Sequence, residues 1–253
     1  ADRLRSLSEF LKKRFYRFAS LLIANSEELA QTYRSQLNKD VSVVRNPIDI
    51  SLAKRSVEET LSALDLEVFE RSEINIISVG RLSAQKNFAL LIDAFAEVKS
   101  ALDKNIGLVI VGDGPLKTKL EAKVKHLGLC SDVSFLGYRP SVLPLVSRAD
   151  LFVLSSDYEG MPNVLVEAAA VQVPIISTRC PSGPVEILEG GRYGELVPVG
   201  ERVELARAIK WALTNYDESV AKAQRLAQNL EEYDIENVRK RYMEIVEKLH
   251  GEL

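Results

Sequence analysis

Short apolar runs that alternate with amphipathic segments dominate the pattern of this chain from residue 73 onward. Apolar runs of about four to eight residues without polar alternation are typical of strands buried on both faces. Strands that alternate with helices form a parallel sheet with helices on both faces, so the predicted fold class is α/β. The predicted strands are residues 74–79, 108–111, 133–136, 151–154, 174–178 and 194–197, and the last predicted helices are 202–215, 218–231 and 235–249.

The first 72 residues are less regular. Residues 3–19 carry an apolar stripe at helical spacing among many Lys and Arg residues, which predicts a basic amphipathic helix. Residues 21–24 and 41–44 are predicted strands, and the helix between them is expected to begin after Ser26 as its N-cap. Residues 51–72 are charged and are predicted to be a linker with one helix.

The stretch between residues 155 and 167 is the strongest candidate site. An apolar strand precedes it, an Ala-rich helix follows it, and Gly160 and Pro162 interrupt the chain between the two. Glycine lets a backbone turn sharply or approach a ligand, and proline fits the first turn of a helix. A joint of this kind lies at the carboxyl edge of a parallel sheet, where ligands bind.

Two kinds of group in this joint suit an anionic ligand that carries a sugar. The N–H groups near Met161, Asn163 and Val164 at the helix start amount to roughly half a positive charge. Glu159 and Glu167, eight positions apart, can face one pocket and accept hydrogen bonds from sugar hydroxyls. Spacing alone leaves a second interpretation open, in which Glu159 only complements the helix start and Glu167 is solvated.

Further polar residues follow two other predicted strands at the same edge of the sheet. Gly80 ends the first strand of the regular region, and Arg81 and Lys86 lie on the loop after it. A planar guanidinium and a compact ammonium together suit two phosphates, although two solvated surface charges are the alternative. Tyr138 and Arg139 follow the third strand, where either side chain could stack on a base.

Composition narrows the range of functions. The 253 residues carry a net charge of −3, so no electrostatic field for nucleic acid is expected. Two histidines and the distant Cys130 and Cys180 have no metal-ligand spacing, and the thiols fit a reducing, cytoplasmic compartment. No apolar run reaches transmembrane length. No Gly-x-Gly-x-x-Gly follows a strand, which counts against a nicotinamide-dependent dehydrogenase.

The stretch Glu-Gly-Met-Pro-Asn-Val-Leu-Val-Glu-Ala that begins at Glu159 resembles the E-x7-E signature of retaining GT-B glycosyltransferases of the group 1 or family 4 type. The Gly-Arg at Gly80 and the Lys-Asn at Lys86 resemble the diphosphate-binding loop of that family. The resemblance covers about residues 74–199. It implies the Rossmann-like C-terminal half of a GT-B fold. It also implies transfer, with retention, of a hexose or N-acetylhexosamine from a nucleotide-diphosphate sugar to a glycan or lipid-linked acceptor. A uridine diphosphate sugar is the first expectation for the donor, and guanosine diphosphate mannose the second.

The same resemblance assigns roles to the site residues. Glu159, Lys86 and Arg81 are expected to be catalytic: the two cations hold the diphosphate, and Glu159 orients the donor sugar rather than acting as a nucleophile. Glu167 is expected to hold the ribose. No metal or cofactor is expected, because the sequence offers these cations and no Asp-x-Asp pair. The expected donor-binding residues are Gly80, Arg81, Lys86, Tyr138, Arg139, Gly160, Met161, Pro162, Asn163, Val164 and Glu167.

The resemblance also divides the chain into domains. Residues 1–50 are expected to be the remnant of an acceptor-side N-terminal domain, residues 51–72 a linker, residues 73–234 the donor-binding domain, and residues 235–253 a helix that crosses back. Most of the N-terminal domain would then be absent, and the chain alone would transfer weakly or not at all.

The basic first helix is expected to pack its apolar stripe on its own domain, and a peripheral contact with the inner face of a membrane is the alternative. A non-catalytic nucleotide-sugar-binding subunit that needs a partner chain stays open as an alternative function. A sugar-nucleotide epimerase needs further acid–base groups, which the two histidines, on a helix and at the terminus, do not suggest.

Overall fold

The computed structural model describes residues 14–16 and 18–251. Most of the helix predicted over residues 3–19 lies outside this range. In chain order the elements are β1 (Ile23–Ala24), α1 (Glu27–Leu37), β2 (Ser42–Val43), α2 (Ile50–Ser56), α3 (Ala63–Glu70), β3 (Ile74–Val79), α4 (Phe88–Ala101), β4 (Ile106–Val111), α5 (Lys117–His126), β5 (Val133–Gly137), α6 (Leu143–Val146), β6 (Leu151–Leu154), α7 (Asn163–Ala170), β7 (Ile175–Thr178), α8 (Gly183–Ile187), β8 (Glu195–Val197), α9 (Arg202–Thr214), α10 (Tyr216–Ala227) and α11 (Ile235–Gly251).

The chain clusters into two compact units. The smaller unit combines residues 1–47 with residues 231–253. Within it β1 and β2 pair in parallel, and α1 connects them. Ser26 caps α1 as predicted, its side chain accepting a hydrogen bond from the N–H of Leu29. Residues from both ends of the chain meet here, because Val238 of α11 packs in one apolar cluster with Val44.

The larger unit, residues 48–230, is built on a parallel sheet in the order β5-β4-β3-β6-β7-β8. The predicted α/β fold is therefore confirmed. Every residue of β4 and β6 is buried because helices cover both faces of the sheet. One large apolar cluster fills the space between the sheet and its helices, with Phe88 and Phe95 of α4 among its largest fully buried side chains.

The segment that precedes β3 belongs to the larger unit, and it differs from the expectation of a linker with one helix over residues 51–72. It contains two, α2 and α3, because each has its own cap. The Asp49 side chain accepts from the N–H of Leu52 at 2.7 Å, and the Ser62 side chain accepts from the N–H of Asp65 at 3.1 Å. None of the described helices is both long and apolar enough to span a bilayer.

Candidate functional site

The candidate site lies at the carboxyl ends of β3 and β6, which are neighbours in the middle of the sheet. On one side of this pair the chain continues outward through β4 and β5, and on the other side through β7 and β8. Such a reversal of strand order leaves a crevice between the loops that follow the two strands, and ligands of open α/β sheets bind there. These loops are called here the β3 loop (residues 80–87) and the β6 loop (residues 155–162).

Side chains and backbone groups join the two loops to each other. The Gln85 side-chain amide donates to the carbonyl of Tyr158 at 2.9 Å, and the N–H of Asp157 donates to the carbonyl of Gln85 at 2.8 Å. The Asn87 amide donates to the Asp157 carboxylate at 2.8 Å. These bonds fix the relative position of the loops before any ligand binds.

The central contact of the site joins Lys86 to Glu159. The Lys86 Nζ lies 2.5 Å from Glu159 Oε1, and the Ser156 hydroxyl donates to the same oxygen at 2.6 Å. The Lys86 side chain is 16% exposed and the Glu159 side chain 7% exposed, so the pair is largely withdrawn from water. The Lys86 stem passes over Gly80, where a Cβ would lie 3.1 Å from Cε. The structure thus brings together Gly80, Lys86 and Glu159, three residues that sequence analysis selected.

The start of α7 is held by the loop that follows β7. Pro162 is the N-cap residue of the helix, in an extended conformation, and its own side chain makes no capping hydrogen bond. The N–H of Gly183 donates to the carbonyl of Gly160 at 2.7 Å. A Cβ at position 183 would lie 2.3 Å from Pro162 Cδ, so only glycine permits this close approach. The helix start predicted from Pro162 is therefore present at the same edge as Glu159, with Met161 buried beside it.

Glu167 lies on the second turn of α7 in a different environment from Glu159. Burial raises the pKa of the Glu167 carboxyl above its ordinary value. Among the residues that the structure describes, none forms a hydrogen bond or an ion pair with this carboxylate. A partly buried carboxylate without a partner is ready to accept hydroxyl groups from a ligand.

The other predicted site residues are exposed or bind a residue outside the two loops. Arg81 is exposed, and Tyr138 is 72% exposed. The Arg139 guanidinium instead binds the Asp65 carboxylate of α3, with Nη2 2.7 Å from Oδ1, and also donates to the carbonyl of Leu136. The hydrogen bond from Arg139 holds the pKa of Asp65 below its usual value. Tyr138 is therefore the more available of the two side chains for stacking.

Sequence analysis missed the residues that organise Glu159 and the two loops. Ser156, Gln85, Asn87 and Asp157 make the contacts described above, and Gly183 supports the β6 loop. The available signal was their position, since polar residues directly after an apolar strand lie at its carboxyl edge. Within the described part of the chain, no three His, Cys, Asp or Glu side chains are grouped so that they could hold a metal ion.

Comparison with known proteins is consistent with this geometry. The family model for glycosyl transferases group 1 matches residues 67–233. An uncharacterized glycosyltransferase of Methanocaldococcus jannaschii is 33% identical over 179 residues, which is 70% of this chain and 44% of the relative.

A second relative, from Campylobacter jejuni, is 32% identical over 221 residues, or 86% of this chain and 56% of the relative. Its name is N-acetylgalactosamine-N,N'-diacetylbacillosaminyl-diphospho-undecaprenol 4-alpha-N-acetylgalactosaminyltransferase. The chain spans about half the length of these two curated relatives.

Several solved structures have a similar fold, and one of them is HepE. The crystal structure of Anabaena HepE in complex with UDP superposes with a TM-score of 0.78 at 27% sequence identity. The superposition covers 93% of this chain and 65% of HepE. HepE has also been solved with UDP-glucose. The six-stranded parallel sheet and its helices match the C-terminal domain of a GT-B glycosyltransferase.

Proposed function

Because the chain belongs to the group 1 glycosyltransferases, we propose that it transfers a hexose or N-acetylhexosamine from a uridine diphosphate sugar to a glycan or lipid-linked acceptor. We propose that transfer retains the anomeric configuration. The observation that carries this proposal is the contact of Lys86 with Glu159 at the strand-order reversal. It combines, in one crevice, a cation suited to a phosphate and a carboxylate suited to a sugar.

The leaving diphosphate needs positive charge, because negative charge grows on it as the glycosidic bond breaks. Lys86 and Arg81 lie on the β3 loop, and α7 begins shortly after Glu159. Fixed cations and helix amides can each lower such a barrier by about 3 kcal/mol in a site that excludes water. Since the sequence has no Asp-x-Asp pair, we propose that these groups act without a metal ion.

The two carboxylates have separate tasks in this proposal. Glu159 binds hydroxyls of the donor sugar and stabilises the positive charge that develops on the ring. Glu167 binds the ribose hydroxyls, which its lack of a protein partner supports. The acceptor attacks from the face that the diphosphate leaves, and no covalent intermediate on Glu159 is formed. Gly160, Met161, Pro162 and the first turn of α7 form the wall next to the diphosphate.

The names of the relatives support the choice of donor and acceptor. HepE binds UDP and UDP-glucose, which supports a uridine diphosphate donor. The Campylobacter relative is named for a diphospho-undecaprenol substrate, which supports a lipid-linked acceptor. We propose that the protein works in the cytoplasm at the inner face of the membrane, where such an acceptor is exposed. Peripheral contact through the basic first helix would fit this location.

The smaller unit belongs to the acceptor side in this proposal. We propose that residues 1–50 are part of the acceptor-side domain, that residues 51–72 link it to the donor-binding domain of residues 73–234, and that residues 235–253 return to it. The contact of Val238 with Val44 supports the last point. Because the chain spans about half the length of its curated relatives, we expect the chain alone to bind donor but to transfer weakly or not at all.

Calorimetric titration tests the donor. We expect the chain to bind uridine diphosphate at least about tenfold more tightly than guanosine diphosphate, without added metal, because base contacts left unpaired by the wrong base cost binding energy. Titration with UDP-glucose and with the UDP N-acetylhexosamines then identifies the sugar. Absence of binding by both diphosphates would contradict the proposal. Retention is tested on the transfer product by the coupling constant of its anomeric proton.

A further inference from the structure

Two fully buried hydroxyl groups lie behind Glu159. Ser156 follows β6 and is 0% exposed, and its hydroxyl donates to Glu159 Oε1 at 2.6 Å. Thr178 ends β7 and is also 0% exposed, and its hydroxyl donates to the carbonyl of Ser156 at 2.5 Å. The resulting chain of hydrogen bonds runs from Thr178 through Ser156 to Glu159.

The Thr178 side chain adds a hydrogen bond between the β6 and β7 segments beyond the last residue pair of their backbone ladder. The residue pairs that join β6 to β7 end at Leu154 and Ser177. The Ser156 carbonyl lies past this point, and the Thr178 hydroxyl supplies the donor that the ladder no longer provides. Because a buried carbonyl without a donor is costly, this bond fixes the peptide of Ser156 against β7.

The donors to Glu159 are distributed unequally over its two oxygens. Lys86 and Ser156 both donate to Oε1. Within the described residues, no hydrogen bond reaches Oε2. A serine hydroxyl has one proton to donate, so Ser156 directs its whole donor capacity to Oε1. A hydrogen bond to an ionised carboxylate is about twice as strong as a neutral one, which makes this contact an effective constraint on the side chain.

We propose that Ser156, held by Thr178, is a positioning residue that fixes the orientation of Glu159, with Oε1 toward Lys86 and Oε2 available to the donor sugar. The inference rests on the transfer function proposed above. Ser156 touches no substrate and acts only through the orientation of the carboxylate. The orientation is set before the donor arrives, so no side-chain freedom is lost when the sugar binds.

The Cys180 thiol, which forms a hydrogen bond with the Thr178 side chain, adds no charge to this chain of hydrogen bonds. Cys180 is 0% exposed, and burial raises the pKa of its thiol to about 11. The thiol is therefore neutral at physiological pH. Lys86 is the cation that contacts the Glu159 carboxylate.

Ser156→Ala in the full-length protein tests the proposal against a matched control. Ser78→Ala removes an equally buried hydroxyl, which donates to the carbonyl of Val153 at 2.6 Å and does not contact Glu159. For Ser156→Ala we expect kcat to fall about tenfold or more, the loss typical of a hydrogen bond to a charged group. The KM for donor and the Kd for uridine diphosphate should change by less than about twofold, because Ser156 contacts neither the base nor the diphosphate. Both variants should lose a similar amount of thermal stability.

A second variant keeps the test decisive if Ser156→Ala does not fold. Thr178→Val preserves volume and removes only the hydroxyl that holds the Ser156 peptide, and we expect kcat to fall about threefold to tenfold. The proposal is overturned if both variants keep kcat within about twofold of Ser78→Ala. It is also overturned if kcat and diphosphate affinity fall together. Failure of the transfer function itself would appear elsewhere, as absence of uridine diphosphate binding by the wild-type protein.

Discussion

Glu159 and Glu167 of the β6–α7 joint are eight positions apart, yet their carboxylates differ in the partners that the fold gives them. Glu159 receives Lys86 and Ser156 on one oxygen, and the loop that carries it is bonded to the β3 loop. Glu167 is partly buried, no residue that the structure describes bonds to its carboxylate, and burial raises its pKa. In the proposed function, one carboxylate is therefore oriented before a ligand binds, and the other receives its partners from the ligand.

This difference shows where the site is rigid and where it depends on its ligand. Orientation matters most at the sugar, because bonds break there and small displacements of a catalytic group reduce the rate strongly. In the proposed function the nucleoside only has to be held, so a carboxylate that gains its hydrogen bonds when the ribose arrives would be sufficient. Tyr138, which is exposed, would belong to this ligand-dependent part as well in the proposed function.

The largest expected effect on the transfer rate comes from removing Lys86, the cation that contacts Glu159. Lys86→Ala should lower kcat/KM at least about 100-fold, because it removes charge from the diphosphate and leaves the Glu159 carboxylate with one donor fewer. The measurement is the steady-state rate of the full-length protein. Lys99→Ala is the matched control, since Lys99 forms a comparable, partly buried ion pair with Asp132 at 2.8 Å. An equal loss in both variants would show that the effect is structural.

A smaller effect is expected at the other carboxylate. Glu167→Gln should weaken uridine diphosphate binding about tenfold, since a neutral amide is a poorer acceptor for the ribose hydroxyls than a carboxylate. Calorimetry on the chain measures this directly. Unchanged affinity would remove Glu167 from the ribose site and with it the contrast between the two glutamates.

The same substitution should make the ligand-free protein more stable. The folded-state pKa of Glu167 lies above the unfolded value of 4.5. Below pH 4.5 the Glu167 carboxyl is protonated in both states, and its burial does not reduce the free energy of unfolding. As the pH rises through the folded-state pKa, the buried carboxyl ionises and the free energy of unfolding falls. Glu167→Gln should match the wild type in melting temperature near pH 4 and exceed it near pH 8. A lower melting temperature for the variant across this range would contradict the prediction.

The smallest expected effect is at the exposed aromatic ring. Tyr138→Ala should weaken uridine diphosphate binding about threefold to tenfold through loss of stacking on the base. Asp65→Ala is the matched control. It removes the ion pair that holds Arg139, the neighbour of Tyr138 in the same loop, and it leaves the aromatic ring in place. Equal losses in the two variants would indicate that the loop conformation matters rather than the ring.

Apolar periodicity was enough to predict the strands at the centre of the sheet. The predicted bounds of β3 and β6 are those observed, because both are short apolar runs that end at Gly or polar residues. Periodicity says which segments are strands but not which strands pair. The position of β3 beside β6, which creates the crevice, could therefore not be predicted.

The contacts that organise the site could not be predicted from the sequence either, because they join residues from different elements. Lys86 and Glu159 could each be selected from local chemistry, but their ion pair joins residues 73 positions apart. Ser156 donates locally to Glu159, yet its own support comes from Thr178 on the next strand. Arg139 appeared free for a base, and only the fold shows that Asp65 binds it.

The burial of Cys180 has a practical consequence. Both cysteines are free, and Cys130 is exposed while Cys180 is buried with a thiol whose pKa is about 11. Alkylating reagents attack the thiolate of an accessible cysteine, so a maleimide dye should attach at Cys130 alone. These 253 residues therefore provide a single attachment point for a fluorescent reporter, away from the β3 and β6 loops along the chain.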